Sequence, residues 1–298
     1  MGLVKAQWRV LTEHPNFRRL FVGNSISLLG SSVTTVALPL TAVVALGASP
    51  VQMGTLGAVA FLPHLILGLP TGVWVDRLSY RRVIIAADLL AAATLAAVPL
   101  LALTGLLQMW HLYLVVVITG AGSLFSTIAG QSFAPQLVPR GELLAANSTF
   151  ALSNSVVATT GSAVGGVLIQ LLTAPVAIAV DAASFVLSAV SKARIDVPGG
   201  SADTRLAKEP ILTGIWIGVR AALAHPALRA TTIAATVGAL AGQMQLVIVM
   251  LFLVRDLGLS AGVVGLMVAA GGIAGIVGAA VGVPITSRLG NGRPSSPA

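Results

Sequence analysis

Gly72-Val-Trp-Val-Asp76-Arg77-Leu78-Ser79-Tyr80-Arg81-Arg82 decides how the rest of this 298-residue chain is read. It closes one long apolar run, Val51–Val75, and precedes another, Val83–Thr104. A membrane helix needs ~20 predominantly apolar residues, and both runs meet that length. Four charges between Asp76 and Arg82 would be costly in hydrocarbon and are natural at its edge. The stretch therefore marks the water between two membrane helices. Arg77, Arg81 and Arg82 put it on the cytoplasmic side, since basic residues concentrate in cytoplasmic loops. Gly72 is expected to let two backbones approach closely.

Composition agrees. Apolar residues make up 56% of the chain and charged residues 9%, against about 25% charged in a soluble domain. The expected class is an all-α polytopic membrane protein with the bilayer as its surroundings. Cysteine is absent, which excludes disulfides and thiolate chemistry. The net charge of +8 lies in short loops between apolar runs, so nucleic acid is not an expected partner. Residues 1–19 are polar and basic and precede a full-length apolar run, which reads as an uncleaved first span.

Eight spans are expected: Leu20–Leu46, Val51–Val75, Val83–Thr104, His111–Phe133, Leu143–Leu172, Pro175–Ser191, Arg229–Val254 and Ser260–Ile285. Short turns at Gly47–Pro50, Gly105–Trp110 and Thr173–Pro175 carry no Lys or Arg. The alternate loops and the termini hold sixteen of the seventeen basic residues, leaving Arg255 on the other face. Both termini are accordingly expected in the cytoplasm of a bacterial cell, with the chain in its inner membrane. Three regions follow: 1–191 as a six-helix bundle, 192–228 as a cytoplasmic linker, and 229–298 as two further spans and a polar tail. Within the linker, Ile211, Leu212, Ile215, Trp216, Val219 and Leu223 recur at helical spacing after Pro210. This segment reads either as an amphipathic helix on the membrane face or as a solvated linker helix.

A repeat appears at an offset of 211 residues. His14-Pro15 recurs as His225-Pro226, Arg18 as Arg229, Leu46-Gly47 as Leu257-Gly258, and Arg77-Leu78 as Arg288-Leu289. Spans seven and eight thus look like a second copy of spans one and two in the same membrane orientation, a parallel repeat.

Several stretches resemble one family. The 72–82 loop is similar to the loop between helices two and three of the major facilitator superfamily, Gly-x-x-x-Asp-Arg/Lys-x-Gly-x-Arg/Lys-Arg/Lys, with Ser79 where a second Gly is common. Pro135-Gln-Leu-Val-Pro139-Arg-Gly-Glu-Leu-Leu-Ala-Ala-Asn147 and Asp181-Ala-Ala-Ser-Phe185 resemble the bacterial exporter branch that includes enterobactin exporters and macrolide-efflux proteins. Gly161-Ser-Ala-Val-Gly165-Gly166 resembles the fifth-span antiporter motif, with Ser162 in place of Pro; the bland reading of these glycines is helix packing. The resemblance implies alternating-access export of a small amphipathic or cationic molecule, driven by an ion gradient, possible proton coupling, and a gating role for Gly72, Asp76, Arg77, Arg81 and Arg82. It also implies twelve spans with the substrate cavity between two halves, so that eight are one half and a third of the other. The alternative is a truncated, transport-inactive remnant or a subunit needing a partner polypeptide. Span four lacks the Arg that many proton-coupled members carry.

Three ionisable residues fall inside expected spans, where such groups are functional candidates by default. Asp181 lies seven residues past Ala174, ~10 Å deep at 1.5 Å per residue. It is a candidate for a proton or a cationic substrate group, or for an interhelical hydrogen bond. His64 would titrate near neutral pH or sit as a buried neutral imidazole. Asp88 would serve transport or pair with the nearby arginines. His14 and His225 precede prolines at helix entrances and read as caps. Four scattered His and few acids offer no metal-ligand cluster, no enzyme signature is present, and no cofactor is expected.

Overall fold

The computed structural model describes residues 2–196, 220, 224, 226–260, 263, 264, 267 and 270. The expected eighth span and the helix expected after Pro210 lie outside the described residues, apart from isolated positions. Among the described residues the regular elements are helices: α1 Gly2–Glu13, α2 Pro15–Leu40, α3 Pro50–Val75, α4 Tyr80–Leu103, α5 Met109–Phe133, α6 Leu143–Leu172, α7 Ala174–Ala193 and α8 Pro226–Arg255. A π-helical turn, Thr41–Ala45, continues α2, and short 3-10 turns, Ala134–Gln136 and Arg140–Glu142, join α5 to α6.

The helix ends follow local chemistry. Pro15 and Pro50 open α2 and α3, positions where a missing N–H costs nothing. Ser49 and Gln52 form a reciprocal capping box at the start of α3. Gly47 and Gly105, at φ +60° and +71°, turn the chain out of the preceding helices in the left-handed conformation that glycine adopts without strain. Thr173 alone links α6 to α7, at φ 82° and ψ 154°, a region essentially reserved for glycine.

Over their described residues, six of these helices are long and apolar enough to cross a membrane. In α6, Asn147, Ser148, Thr149, Ser153, Asn154 and Ser155 stand in the first half, and one face of the helix lines a cavity. Leucines and valines such as Leu65, Leu89, Leu90, Leu187 and Val190 are exposed, while Asp88, Asp181, Ser184, Ser188 and Lys192 are buried. This inverts the pattern of a soluble protein, as expected where the surroundings are lipid.

α7 packs between α2 and α4; α5 packs between α3 and α4; α6 lies on α2, and α8 lies on α3. Two apolar clusters hold the ends. One, near the Asp76–Arg82 loop, contains Val10, Phe17, Val75, Ile84, Phe133 and Ile195; this is the basic end. The other contains Val36, Leu40, Met53, Leu95, Leu112, Ile178 and Met250; this is the far end.

Two features depart from the sequence reading. Residues 2–13 form a helix of their own before the first span. Lys192, assigned above to the linker, is a buried part of α7.

Candidate functional site

The polar chemistry of the bundle is gathered on one face of α7. Asp181, Ser184, Ser188 and Lys192 recur at three- and four-residue intervals and are all buried, so they form a single stripe along the helix. α2 meets this stripe with small residues. A Cβ added at Gly30 would overlap Ser184 and the Asp181 carboxylate; one at Gly23 would lie 3.1 Å from the Ser188 carbonyl oxygen and 3.3 Å from Lys192 Cγ. Glycine at both positions is what allows the two helices to close over polar side chains.

At the basic end of the stripe, Lys192 Nζ donates to Asp88 Oδ2 at 2.8 Å and the Ser188 hydroxyl donates to the same oxygen at 2.7 Å. Both ionic side chains are 1% exposed. Spacing suggested arginine partners for Asp88; its partner is instead this lysine. Arg81, the arginine two turns away on α4, is drawn off to the Ala193 carbonyl at the end of α7.

At the other end of the stripe, about three turns away, Asp181 is fully buried. Thr34 Oγ1 donates to its Oδ2 at 2.5 Å, and Ser184 Oγ donates to its Oδ1 at 3.1 Å. Hydroxyls, and no basic side chain among the described residues, face this carboxyl. Asp181 lines a cavity of about 290 Å³ whose other walls include Thr35, His64, Leu95, Thr119 and Phe185. His64 reaches this cavity from α3 and is exposed, its ring stacked on Phe61 with centroids 6.2 Å apart. It is therefore not the buried imidazole that its place in an apolar run suggests. Pro63 packs towards Gly120 on α5, which leaves the next residue at the cavity mouth.

A second, larger cavity of about 830 Å³ lies between α2, α5 and α6, nearer the basic end. Ser31 lines the first cavity and Ser32 the second; on α5, Ser123 lines the first and Ser126 the second. On α2 the two linings continue one face, Leu20, Asn24, Leu28, Ser31, Thr35 and Leu38 recurring every three or four residues, so the cavities sit at successive levels along it.

Gly161 and Gly165 bring α6 onto α2: a Cβ at Gly161 would overlap Ser32, and one at Gly165 would come within 3.0 Å of Val33 Cα. Gly166 is buried beside them. Gly72 behaves differently from the expectation. A Cβ there meets no described atom within 4 Å.

The 72–82 loop is ordered mainly through its neighbours. Asp76 caps α3, its N–H bonded to the Gly72 carbonyl at 3.1 Å, and its carboxylate accepts from Tyr80 Oη at 3.3 Å. Arg77 is half-buried and Arg82 exposed. Arg81 to the Ala193 carbonyl joins the loop to α7. Arg19 donates to the Arg194 carbonyl at 2.6 Å from the other side. Two guanidinium groups thus satisfy carbonyls at a helix C-terminus, where cations are favoured.

His14 sits at the N-cap of α2 but makes no side-chain cap. Its Nε2 lies 2.8 Å from Glu142 Oε2, and Arg9 bonds the other oxygen of Glu142 and pairs with Glu13. Gln7 donates to Ser148 at 3.2 Å. Bonds from Arg9 and then His14 hold the Glu142 carboxyl below its ordinary range, and Glu142, with a smaller part from Glu13, raises the Arg9 guanidinium. Docking of α1 brings ligand atoms of Glu13, His14 and Glu142 within 4.8 Å of one another, a convergence of residues scattered in sequence. Arg9 bridges the two carboxylates, so the group is an ion-pair network.

Lys192, Ser188, Thr34 and the amides lining the second cavity, Asn24, Gln131, Asn147 and Asn154, were missed by sequence reasoning. The signal for the first two was present: Asp181, Ser184, Ser188 and Lys192 already stand at helical intervals in the sequence.

Comparison with known proteins fits this architecture. The profile of the Major Facilitator Superfamily matches residues 20–296. The chain is 26% identical over 182 residues to macrolide efflux protein A of Streptococcus pyogenes, covering 61% of this chain and 45% of that protein. It is 29% identical over 211 residues to the multidrug efflux pump Tap of Mycolicibacterium fortuitum, covering 68% and 51%. It is 29% identical over 206 residues to the putative multidrug resistance protein MdtD of Salmonella typhi, covering 63% and 42%. The chain spans about half the length of these curated relatives. With the profile running through both the six-helix bundle and the helix beyond it, the chain belongs to the Major Facilitator Superfamily, a family of membrane transporters and not of enzymes.

Proposed function

We propose that this chain forms the first bundle, and the beginning of the second, of an exporter of small amphipathic molecules that works by alternating access and draws on an ion gradient. Two relatives named for efflux and one named for multidrug resistance support export. The observation that carries the coupling is Asp181: a buried carboxyl held by two hydroxyls at the wall of a cavity. A carboxyl in that setting can take up and release a proton without breaking an ion pair, whereas Asp88 is committed to Lys192. His64, at the same cavity, is the second candidate for the proton path. We assign residues 1–191 to the first bundle, 192–228 to a linker and 229–298 to the second. The basic end faces the cytoplasm of a bacterial inner membrane, with Gly72, Asp76, Arg77, Arg81 and Arg82 gating access there.

The test is Asp181→Asn in proteoliposomes. The amide keeps size and hydrogen bonding but cannot carry the proton. Dye flux driven by a proton gradient is expected to fall to the level seen without a gradient, while downhill dye exchange persists. Unchanged gradient dependence removes Asp181 from the mechanism.

A further inference from the structure

We propose that the cavity between α2, α5 and α6 binds an uncharged amphiphile rich in hydroxyl or carbonyl groups, and discriminates against cations; this rests on the transport reading above and names its substrate class. The cavity's volume of about 830 Å³ suits a drug-sized molecule, since such sites span roughly 300–1,000 Å³. Carboxamides reach it from all three helices: Asn24 on α2, Gln131 on α5, Asn147 and Asn154 on α6. Asn147 and Asn154 are seven residues apart and so share one face of α6. None of the four makes a side-chain hydrogen bond to another described residue, so their bonding capacity is open to a ligand. A carboxamide offers two donors and one acceptor, which matches a hydroxyl or a carbonyl in either sense. Leu28 and Phe150 supply apolar wall for the rest of the molecule.

No ionisable side chain is among the described residues that line this cavity. A charge entering it would lose water and find no counter-charge among the described lining, which is unfavourable. Asp181 and His64 lie in the other cavity, further along α2. The fold thereby separates the group that can hold a proton from the surface that recognises the organic molecule.

Binding to the full chain in lipid nanodiscs tests this, with empty nanodiscs subtracted. The probes are octyl β-glucoside, neutral and hydroxyl-rich, and octyltrimethylammonium, a cation on the same alkyl chain. The glucoside is expected to bind saturably and at least about tenfold more tightly than the ammonium. Gln131→Leu and Asn154→Leu, at exposed positions that leave packing intact, should each weaken the glucoside about tenfold, which is ~1.4 kcal/mol. Asn154→Asp should reverse the preference by supplying a carboxylate. Equal or tighter binding of the ammonium by the unaltered chain overturns the proposal, as does glucoside binding indifferent to both leucine variants. Since binding needs no gradient, a failed preference with intact gradient-driven dye flux sinks this inference alone. A glucoside preference with flux indifferent to Asp181→Asn sinks the coupling assignment alone.

Discussion

Replacing Lys192 by Met removes one member of a pair whose atoms lie 2.8 Å apart with both side chains 1% exposed. At an effective dielectric of about 20, two unit charges at that separation attract by ~6 kcal/mol. The attraction is offset in the native protein by the cost of desolvating both groups, so the pair as a whole contributes little. Losing one partner is different, because Asp88 then remains buried with only the Ser188 hydroxyl. Breaking buried pairs in this way costs ~3–5 kcal/mol. For a chain of this size that corresponds to a fall in Tm on the order of 10 °C. The double variant Asp88→Asn, Lys192→Met leaves no stranded charge, and the amide can still accept from Ser188. It should recover most of the loss. Thermal unfolding of both variants and of Asp88→Asn in one detergent closes the cycle. A single-variant loss below ~1 kcal/mol would show the pair to be hydrated and refute the reasoning, as would a double variant less stable than Lys192→Met.

Two further outcomes follow from contacts described above. Gly30→Ala places a methyl on Asp181 and Ser184 and should lower stability by ~1–3 kcal/mol, whereas Gly72→Ala, in open space, should be neutral or slightly stabilising by melting temperature. The folded-state carboxyl of Glu142 titrates below its ordinary value of 4.5, so its contribution to docking α1 is present at neutral pH and is lost as pH falls through that lowered value. Fluorescence of Trp8, exposed on α1, should report the release on acidification, and Glu142→Gln should abolish the transition; identical pH profiles for the two proteins would exclude Glu142 as the tether.

The spans were legible because each is an apolar run of membrane length bounded by breakers or charges; Leu143–Leu172 was read to the residue. The short helix before the first span was not, since residues 2–13 mix polar and apolar side chains and dock through Glu142, 128 residues beyond His14. Lys192 was assigned to water by the same counting of basic residues that organised the loops. Its burial depends on Asp88, which is 104 positions away, and no local rule carries that information. Gly72 illustrates the converse: glycine permits close approach, but only tertiary structure supplies something to approach. The candidate site divides along the same line. Asp181 and His64 could be nominated from their place in apolar runs, whereas the four carboxamides of the cavity between α2, α5 and α6 look individually like ordinary polar residues until three helices bring them together.

Ser31 and Ser32 of α2, and Ser123 and Ser126 of α5, belong to different cavities. The two linings nevertheless continue one face of α2, since Leu20, Asn24, Leu28, Ser31, Thr35 and Leu38 recur every three or four residues. The two spaces are therefore successive landings of one staircase rather than rooms divided by a wall.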